Sequence, residues 1–251
     1  MKQQNAIEIS QLTVAYDAKP VLWNTSVGFR TGKLTAIVGP NGAGKSTLIK
    51  TMLDFIKPVT GEVAYAIEEQ AYAYKEVKNH IAYVPQNSSV DWDFPATVLD
   101  VVLMGRYGKL GWFRRPGKKD KAIAKDMLNK VGMPTFANRQ ISQLSGGQRQ
   151  RVFLARALAQ EADIYILDEP LAGVDIKTER IIMDLLRELS KQNKTVIVVH
   201  HDLQTVEEYF DDVVFINQEV LSSGPIDQVF SKETIEETYR QDRNLGEGDE
   251  V

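Results

Sequence analysis

Gly39-Pro40-Asn41-Gly42-Ala43-Gly44-Lys45-Ser46-Thr47 lies between a short apolar run at 34–38 and an apolar, helix-competent stretch at 46–55. The run is of buried-strand type, so the chain passes from a strand through a glycine-rich turn into a helix. Such a turn leaves backbone N–H groups unpaired and aimed at one point, and the helix dipole adds positive potential there. A polyphosphate fits that point. Gly39, Gly42 and Gly44 let the backbone come close to phosphate oxygens, and Asn41 completes the cradle. Lys45 reads as the point charge on the β- and γ-phosphates, Ser46 as a ligand of Mg²⁺ and Thr47 as a contact to the α-phosphate. The alternative is a glycine-rich turn with no ligand, and the strand and helix on either side argue against it.

Asp168 ends the apolar run at 164–167, which places a carboxylate at the carboxyl edge of a buried strand, where ligands of open α/β sheets collect. It is the candidate for holding the Mg²⁺. Glu169, followed by Pro170, would project toward the γ-phosphate and orient a water for in-line attack. A lone carboxylate at a strand end is more often a helix cap or a solvated loop residue; the phosphate loop upstream reverses that. Leu144-Ser145-Gly146-Gly147-Gln148 precedes a run at 149–160 dense in strong helix formers. This pattern predicts a second helix N-terminus with exposed N–H groups and a serine hydroxyl, hence a second anion-gripping end.

These segments, in this order from Ile7 to Phe230, resemble the nucleotide-binding subunits of ATP-binding cassette (ABC) transporters. Tyr16 stands where that family stacks an aromatic on adenine, and Gln86 follows the apolar run at 81–84 as the Q-loop glutamine does. Residues 144–148 match the family signature letter for letter, Gly173-Val174-Asp175 falls at the D-loop, and His201-Asp202 follows the run at 195–199 as the switch histidine does. Two departures stand out. His200 occupies a position often held by Ser or Thr, so two imidazoles compete for the switch, and the D-loop reads Leu-Ala-Gly-Val-Asp rather than Ser-Ala-Leu-Asp. Tyr16 also reads as a half-buried aromatic in a strand alternating Ile7, Ile9, Leu12 and Val14. His200 and His201 also read as a metal pair, against which adjacent side chains at a strand end point to opposite faces.

The resemblance implies an α/β fold: a P-loop NTPase (RecA-like) core with an antiparallel β subdomain and an inserted α-helical subdomain. It implies ATP and Mg²⁺ as cofactors, with Ser46, Gln86 and Asp168 about the magnesium and Lys45, Gln86, Glu169 and His201 as the catalytic set. It implies a homodimer, in which Ser145, Gly147 and Gln148 of one copy close on the γ-phosphate bound by the other. In this reading Glu169 polarises the attacking water, His201 contacts the γ-phosphate as a neutral imidazole, and Gln86 reports occupancy to a partner.

Organisation and composition agree with such a subunit. One domain is expected over 1–230, its ATP-binding lobe taking 1–86 and 161–230 and its helical signature subdomain 87–160, with a tail at 231–251 that ends small, acidic and frayed. The strand pair near 212–223 is expected to turn at Asn217-Gln218, Asn tolerating the left-handed conformation. At 251 residues and 43% hydrophobic the chain can bury one substantial core. No stretch approaches the ~20 apolar residues of a membrane span, and Met-Lys-Gln-Gln-Asn at the N-terminus lacks a signal-peptide core. The expected place is the cytoplasmic face of the cell membrane. The absence of cysteine fits a reducing compartment, and the net charge of −4 argues against nucleic acid as a partner.

Trp92, Phe94, Tyr107, Trp112 and Phe113 gather where Gly and Pro interrupt any helical stripe, so some are expected to be exposed. An integral membrane permease is expected to dock at 87–115, with Asp91 to Phe94 receiving one of its short helices. Arg106, Lys109, Arg114, Arg115, Lys118, Lys119 and Lys121 form a basic cluster with only Asp120 opposed. It reads first as a solvated face, then as a contact to an anionic leaflet or to nucleic acid. Residues 91–116 are similar to the ATPase subunits of bacterial manganese, zinc and iron importers, with manganese the first choice; those systems include an extracytoplasmic metal-binding protein. Chelated-metal importers share part of the stretch, and a soluble cassette ATPase or a slow nucleotide-gated module are the remaining alternatives. Three histidines and no cysteine leave no transport site for a metal in this chain.

Overall fold

The computed structural model describes residues 4–17, 19–67, 70–86, 95–110 and 114–240. Two sheets organise them. Strands β1 (Asn5–Tyr16), β2 (Lys19–Arg30), β4 (Thr60–Ile67) and β5 (Gln70–Tyr72) form an antiparallel sheet in the order β2-β1-β4-β5. A six-stranded sheet runs β10 (Glu219–Pro225), β9 (Asp212–Asn217), β3 (Leu34–Val38), β8 (Thr195–Val199), β7 (Ile164–Asp168), β6 (Ile81–Val84). Its neighbours are parallel except the β9–β10 hairpin. The helices are α1 (Lys45–Met52), α2 (Tyr74–Val77), α3 (Val98–Met104), α4 (Tyr107–Leu110), α5 (Lys118–Lys130), α6 (Gly146–Ala159), α7 (Ile176–Lys191), α8 (Leu203–Tyr209), α9 (Ile226–Val229) and α10 (Lys232–Tyr239).

Every residue of β3, β7 and β8 is buried, as expected of parallel strands covered on both faces. Because side chains alternate, these strands serve two cores. Leu34, Ala36, Val38, Tyr165, Leu167, Val196 and Val198 pack toward α3, α5, α6 and α7, with Val102, Leu128, Leu154 and Leu186. Ile37, Ile164, Ile166, Ile197 and Val199 pack the other way, on Ile49 and Met52 of α1 and on Ile7, Ile9 and Phe29 of the antiparallel sheet. Each fully buried aliphatic here contributes about 1.5–3 kcal/mol. In β1 the apolar phase slips by one residue between Ile9 and Leu12. Gln11, at φ 47, forms the irregularity, so all four of Ile7, Ile9, Leu12 and Val14 reach the core.

Helix α1 stops at Met52, short of the 46–55 expected, because Leu53 leaves helical geometry and Asp54 takes φ 58, a left-handed cap. Helix α6 begins at Gly146 with Ser145 as its cap, so the second helix N-terminus lies where the 145–148 pattern put it, with both signature glycines in the first turn. The β9–β10 turn corrects another expectation. Gln218, not Asn217, is left-handed, at φ 64. Asn217 is buried and its amide donates to Thr238 O in α10 at 2.9 Å, which holds it in the strand. The basic cluster is also corrected. Arg106 is no part of a solvated face: it is buried, donating to Asp120 at 3.1 Å, to Glu161 at 2.7 Å and to Ala159 O at 2.6 Å. Lys109 also reaches Glu161, so a second carboxylate, distant in sequence, opposes the cluster. Tyr107 is exposed. Trp92, Phe94, Trp112, Phe113 and the docking segment Asp91 to Phe94 lie outside the described residues, as does the acidic end of the tail.

Candidate functional site

Parallel strands end together, so the loops after β3, β8, β7 and β6 meet along one edge of the six-stranded sheet. Those loops carry the phosphate loop, the histidine pair, Asp168-Glu169 and Gln86. A Cβ on Gly39 would collide with the Ile216 carbonyl of β9, so the loop can lie this close to the sheet only with glycine there. Gly44 caps α1 at φ 92 against Leu22 of β2. A cavity of about 220 Å³ is lined by Val21, Asn41 to Thr47, Glu169 and His201.

Lys45 is 6% exposed, and its ammonium donates to Gly39 O at 2.7 Å and Pro40 O at 2.8 Å. Burial pulls its pKa down, while the Glu169 and Asp168 carboxylates partly restore it. Two carbonyl oxygens of the loop thus occupy donors that phosphate oxygens could take. Asp168 is 3% exposed, with Oδ1 3.5 Å from the Ser46 hydroxyl. Burial pushes its pKa up; the Ser46 contact opposes this and the Glu169 charge adds to it. A buried carboxylate beside a hydroxyl is a hard oxygen pair suited to a small divalent cation that keeps its other ligands from phosphate and water. Among the described residues no group of three or more His, Cys, Asp or Glu could hold a metal by itself.

Glu169 sits at φ 54, an uncommon conformation for a residue with a Cβ, and one that marks functional sites. Its carboxylate is bracketed: Gln86 Nε2 donates to Oε2 at 2.9 Å, and His201 Nε2 lies 2.7 Å from Oε1. Three residues far apart in sequence therefore meet beside the phosphate loop.

A sequence model of the ABC transporter family matches residues 22–172. The chain belongs to the ABC transporter family. It is 53% identical over 248 residues to the manganese transport system ATP-binding protein MntB of Bacillus subtilis (strain 168), covering 96% of this chain and 98% of that protein. It is 51% identical over 234 residues to the zinc transport system ATP-binding protein TroB of Treponema pallidum (strain Nichols), covering 93% of this chain and 86% of that one. Among solved structures, a dimeric ATP-binding cassette in a post-hydrolysis state with ADP and Pi superposes with a TM-score of 0.75 at 29% identity, covering 88% of this chain and 98% of that one. The fold is thus the α/β P-loop ATPase fold of ABC cassettes.

Within this ABC ATPase the two imidazoles part company. His201 faces the phosphate cavity, while His200 is 5% exposed, against Phe210, with Nε2 2.8 Å from Thr205 Oγ1. Burial draws the His200 pKa down, and the Asp202 charge only partly offsets it. The signature forms a capping box: Ser145 Oγ accepts from Gln148 N at 3.4 Å and Gln148 Oε1 accepts from Ser145 N at 3.0 Å. A Cβ on Gly147 would lie 2.9 Å from Gly173 O, so signature and D-loop touch within one chain. Asp175 caps α7 by accepting from Thr178 N at 3.0 Å. Neither Ser145, Gly147 nor Gln148 lines the phosphate cavity, nor does Tyr16, which is 45% exposed at the end of β1. Val21, which does line it, escaped the sequence reading: an aliphatic on a strand of the other sheet carries no chemical signal.

Proposed function

We propose that this ABC ATPase hydrolyses ATP at the cytoplasmic face of a cell membrane to drive import of a divalent transition metal, manganese first and zinc or iron second. The observation that carries the reading is the convergence of Lys45, Asp168, Glu169 and His201 on one sheet edge, in a chain 53% identical to a manganese transport ATPase. Lys45 exchanges the Gly39 and Pro40 carbonyls for β- and γ-phosphate oxygens, and Tyr16 stacks on adenine. Gly39, Asn41, Gly42, Gly44 and Thr47 complete the cradle. Ser46, Asp168 and Gln86 hold Mg²⁺, which when bound neutralises charge on the phosphate oxygens. Glu169 accepts a proton from water as its oxygen bonds to the γ-phosphorus and the bond to the β–γ bridging oxygen breaks. His201, released from Glu169, contacts the γ-phosphate.

The position of the signature, away from the phosphate cavity of its own chain, supports a two-copy arrangement. Ser145, Gly147 and Gln148 close on nucleotide held by a second copy, making a homodimer whose ATP-binding lobes (1–86, 161–230) face helical subdomains (87–160); α10 packs on the ATP-binding lobe through Ile235 and Thr238, so the part of the 231–251 tail it forms belongs to that lobe. An integral permease docks near 87–115, a placement supported by the exposed Met104 and Tyr107 and by Phe55, exposed edge-on to Tyr83. Among the described residues no helix is long and apolar enough to cross a membrane. The permease carries the metal, and an extracytoplasmic binding protein delivers it. The test is metal uptake in cells lacking the endogenous subunit, complemented with this chain or its Glu169→Gln variant. Manganese uptake restored by the wild type alone is the expected result. Preferential accumulation of zinc, iron or a chelated metal would reassign the cargo, and failure to co-purify any integral membrane subunit would favour a soluble ATPase.

A further inference from the structure

The turn from β8 to α8 carries His201, whose side chain is 44% exposed and meets Glu169 on the site side. A cavity of about 160 Å³ borders Glu169, Glu179, His200, His201 and Asp202. What holds the turn is a chain of polar contacts on its inner side. His200 N–H donates to Ile37 O of β3 at 3.0 Å. The Thr205 hydroxyl has one proton, and its oxygen lies 3.1 Å from Asp202 O and 3.3 Å from Asp202 Oδ2. An imidazole that donates from Nε2 completes the 2.8 Å contact from His200 and leaves that proton for Asp202. The run His200 to Thr205 to Asp202 therefore ties both flanks of His201 to the first turn of α8. Asp202 in turn caps that helix, accepting from Gln204 N at 3.0 Å. A one-carbon side chain at 200 would not span the gap to Thr205.

We propose that His200 is a positioning residue: its ring, through Thr205, braces the β8–α8 turn from within and sets where His201 meets Glu169 and the γ-phosphate. This rests on the role proposed above for His201. Loss of the brace lets the switch imidazole wander beside an open cavity, which costs turnover more than nucleotide affinity, because the phosphate loop and Val21 are untouched.

The experiment compares kcat, KM for MgATP and Tm in the full chain and its His200→Ala, His200→Gln, Thr205→Val, double His200→Ala/Thr205→Val and His201→Ala variants. Thr205→Val keeps shape at a half-buried site and so decides the matter if His200→Ala folds poorly. His200→Ala and Thr205→Val should each lower kcat by about tenfold to a hundredfold, the cost of displacing a catalytic group by about an ångström. KM should stay within about twofold. The double variant should be no worse than the poorer single one, and His200→Gln, whose amide can still donate, should recover most of the rate. Wild-type kcat in Thr205→Val, or additive losses in the double variant, would overturn the brace. A His201→Ala chain that hydrolyses normally would overturn the underlying reading of the switch, whereas an inactive His201→Ala beside normal His200 and Thr205 variants would sink the brace alone.

Discussion

Replacing Glu169 by Gln should separate binding from hydrolysis, and the bracket around the carboxylate sets the sizes of both effects. Glu169 accepts from Gln86 at 2.9 Å and sits 2.7 Å from His201 Nε2. A glutamine is isosteric: its carbonyl oxygen can keep one partner, and its NH₂ can face a reoriented Gln86 carbonyl. The fold and the cradle should therefore lose little, and MgATP affinity should stay within about twofold. The proton acceptor is gone. General-base catalysis is worth about 10²–10⁴, so kcat should fall by about a thousandfold, or about 4 kcal/mol of transition-state stabilisation. Phosphate release at saturating MgATP measures the rate, and sedimentation with and without MgATP measures association, since an ATP complex that cannot turn over should accumulate as a dimer. Turnover within about tenfold of wild type would remove Glu169 from the role of base. A variant that stayed monomeric with ATP bound would refute the shared site.

Lys45→Ala should weaken MgATP binding by about tenfold to a hundredfold, the worth of a charge-assisted hydrogen bond, as read by equilibrium titration. Gly44→Ala forces a Cβ into left-handed backbone at φ 92 against Leu22, and should cost about 1–3 kcal/mol in urea unfolding while also loosening nucleotide binding. Asp120 and Glu161 are both held below the usual carboxylate range. For Asp120 the Gly117 N–H and then Arg106 are responsible; for Glu161 burial opposes the shift and the bonds from Arg106 and Lys109 outweigh it. Folded pKa values below unfolded ones mean stability that is complete at neutral pH and lost as pH falls through the ordinary carboxylate range and below. Arg106→Gln should thus lower Tm at neutral pH, with the gap to wild type narrowing on acidification; a gap independent of pH would show that Arg106 acts by packing alone.

The phosphate loop was legible because its constraints are local. Nine consecutive residues, with a strand before and a helix after, state the geometry by themselves. The bracket of Gln86, Glu169 and His201 was not legible from spacing, because sheet order rather than sequence order makes those residues neighbours; family resemblance alone put them on one list. Arg106 was misread for the opposite reason. A run of positive charge looks like a solvated face when only near neighbours are counted, and Glu161, which accepts from Arg106 at 2.7 Å, lies 55 residues away. Asn217 shows propensity overruled by burial: the residue better suited to the left-handed turn is needed inside, where its amide satisfies Thr238 O, so Gln218 takes the strained position.

On the proposed reading a single chain presents half a site. One phosphate loop, one buried lysine and one helix dipole face a polyphosphate of several negative charges, and the cavity they line is bounded by the phosphate loop, Val21, Glu169 and His201. The other anion-gripping helix end is built with equal care, its Ser145 and Gln148 locked in a capping box and its Gly147 pressed on the D-loop, yet it does not line that cavity. The capping box stabilises that helix in a monomer as well, but the helix end does not line the cavity of its own chain. In the proposed homodimer it meets the phosphate loop of a second copy, and the D-loop contact at Gly147 would then couple each copy's signature to the neighbourhood of its own Glu169. On the proposed reading, closure of the dimer and alignment of the base are one event.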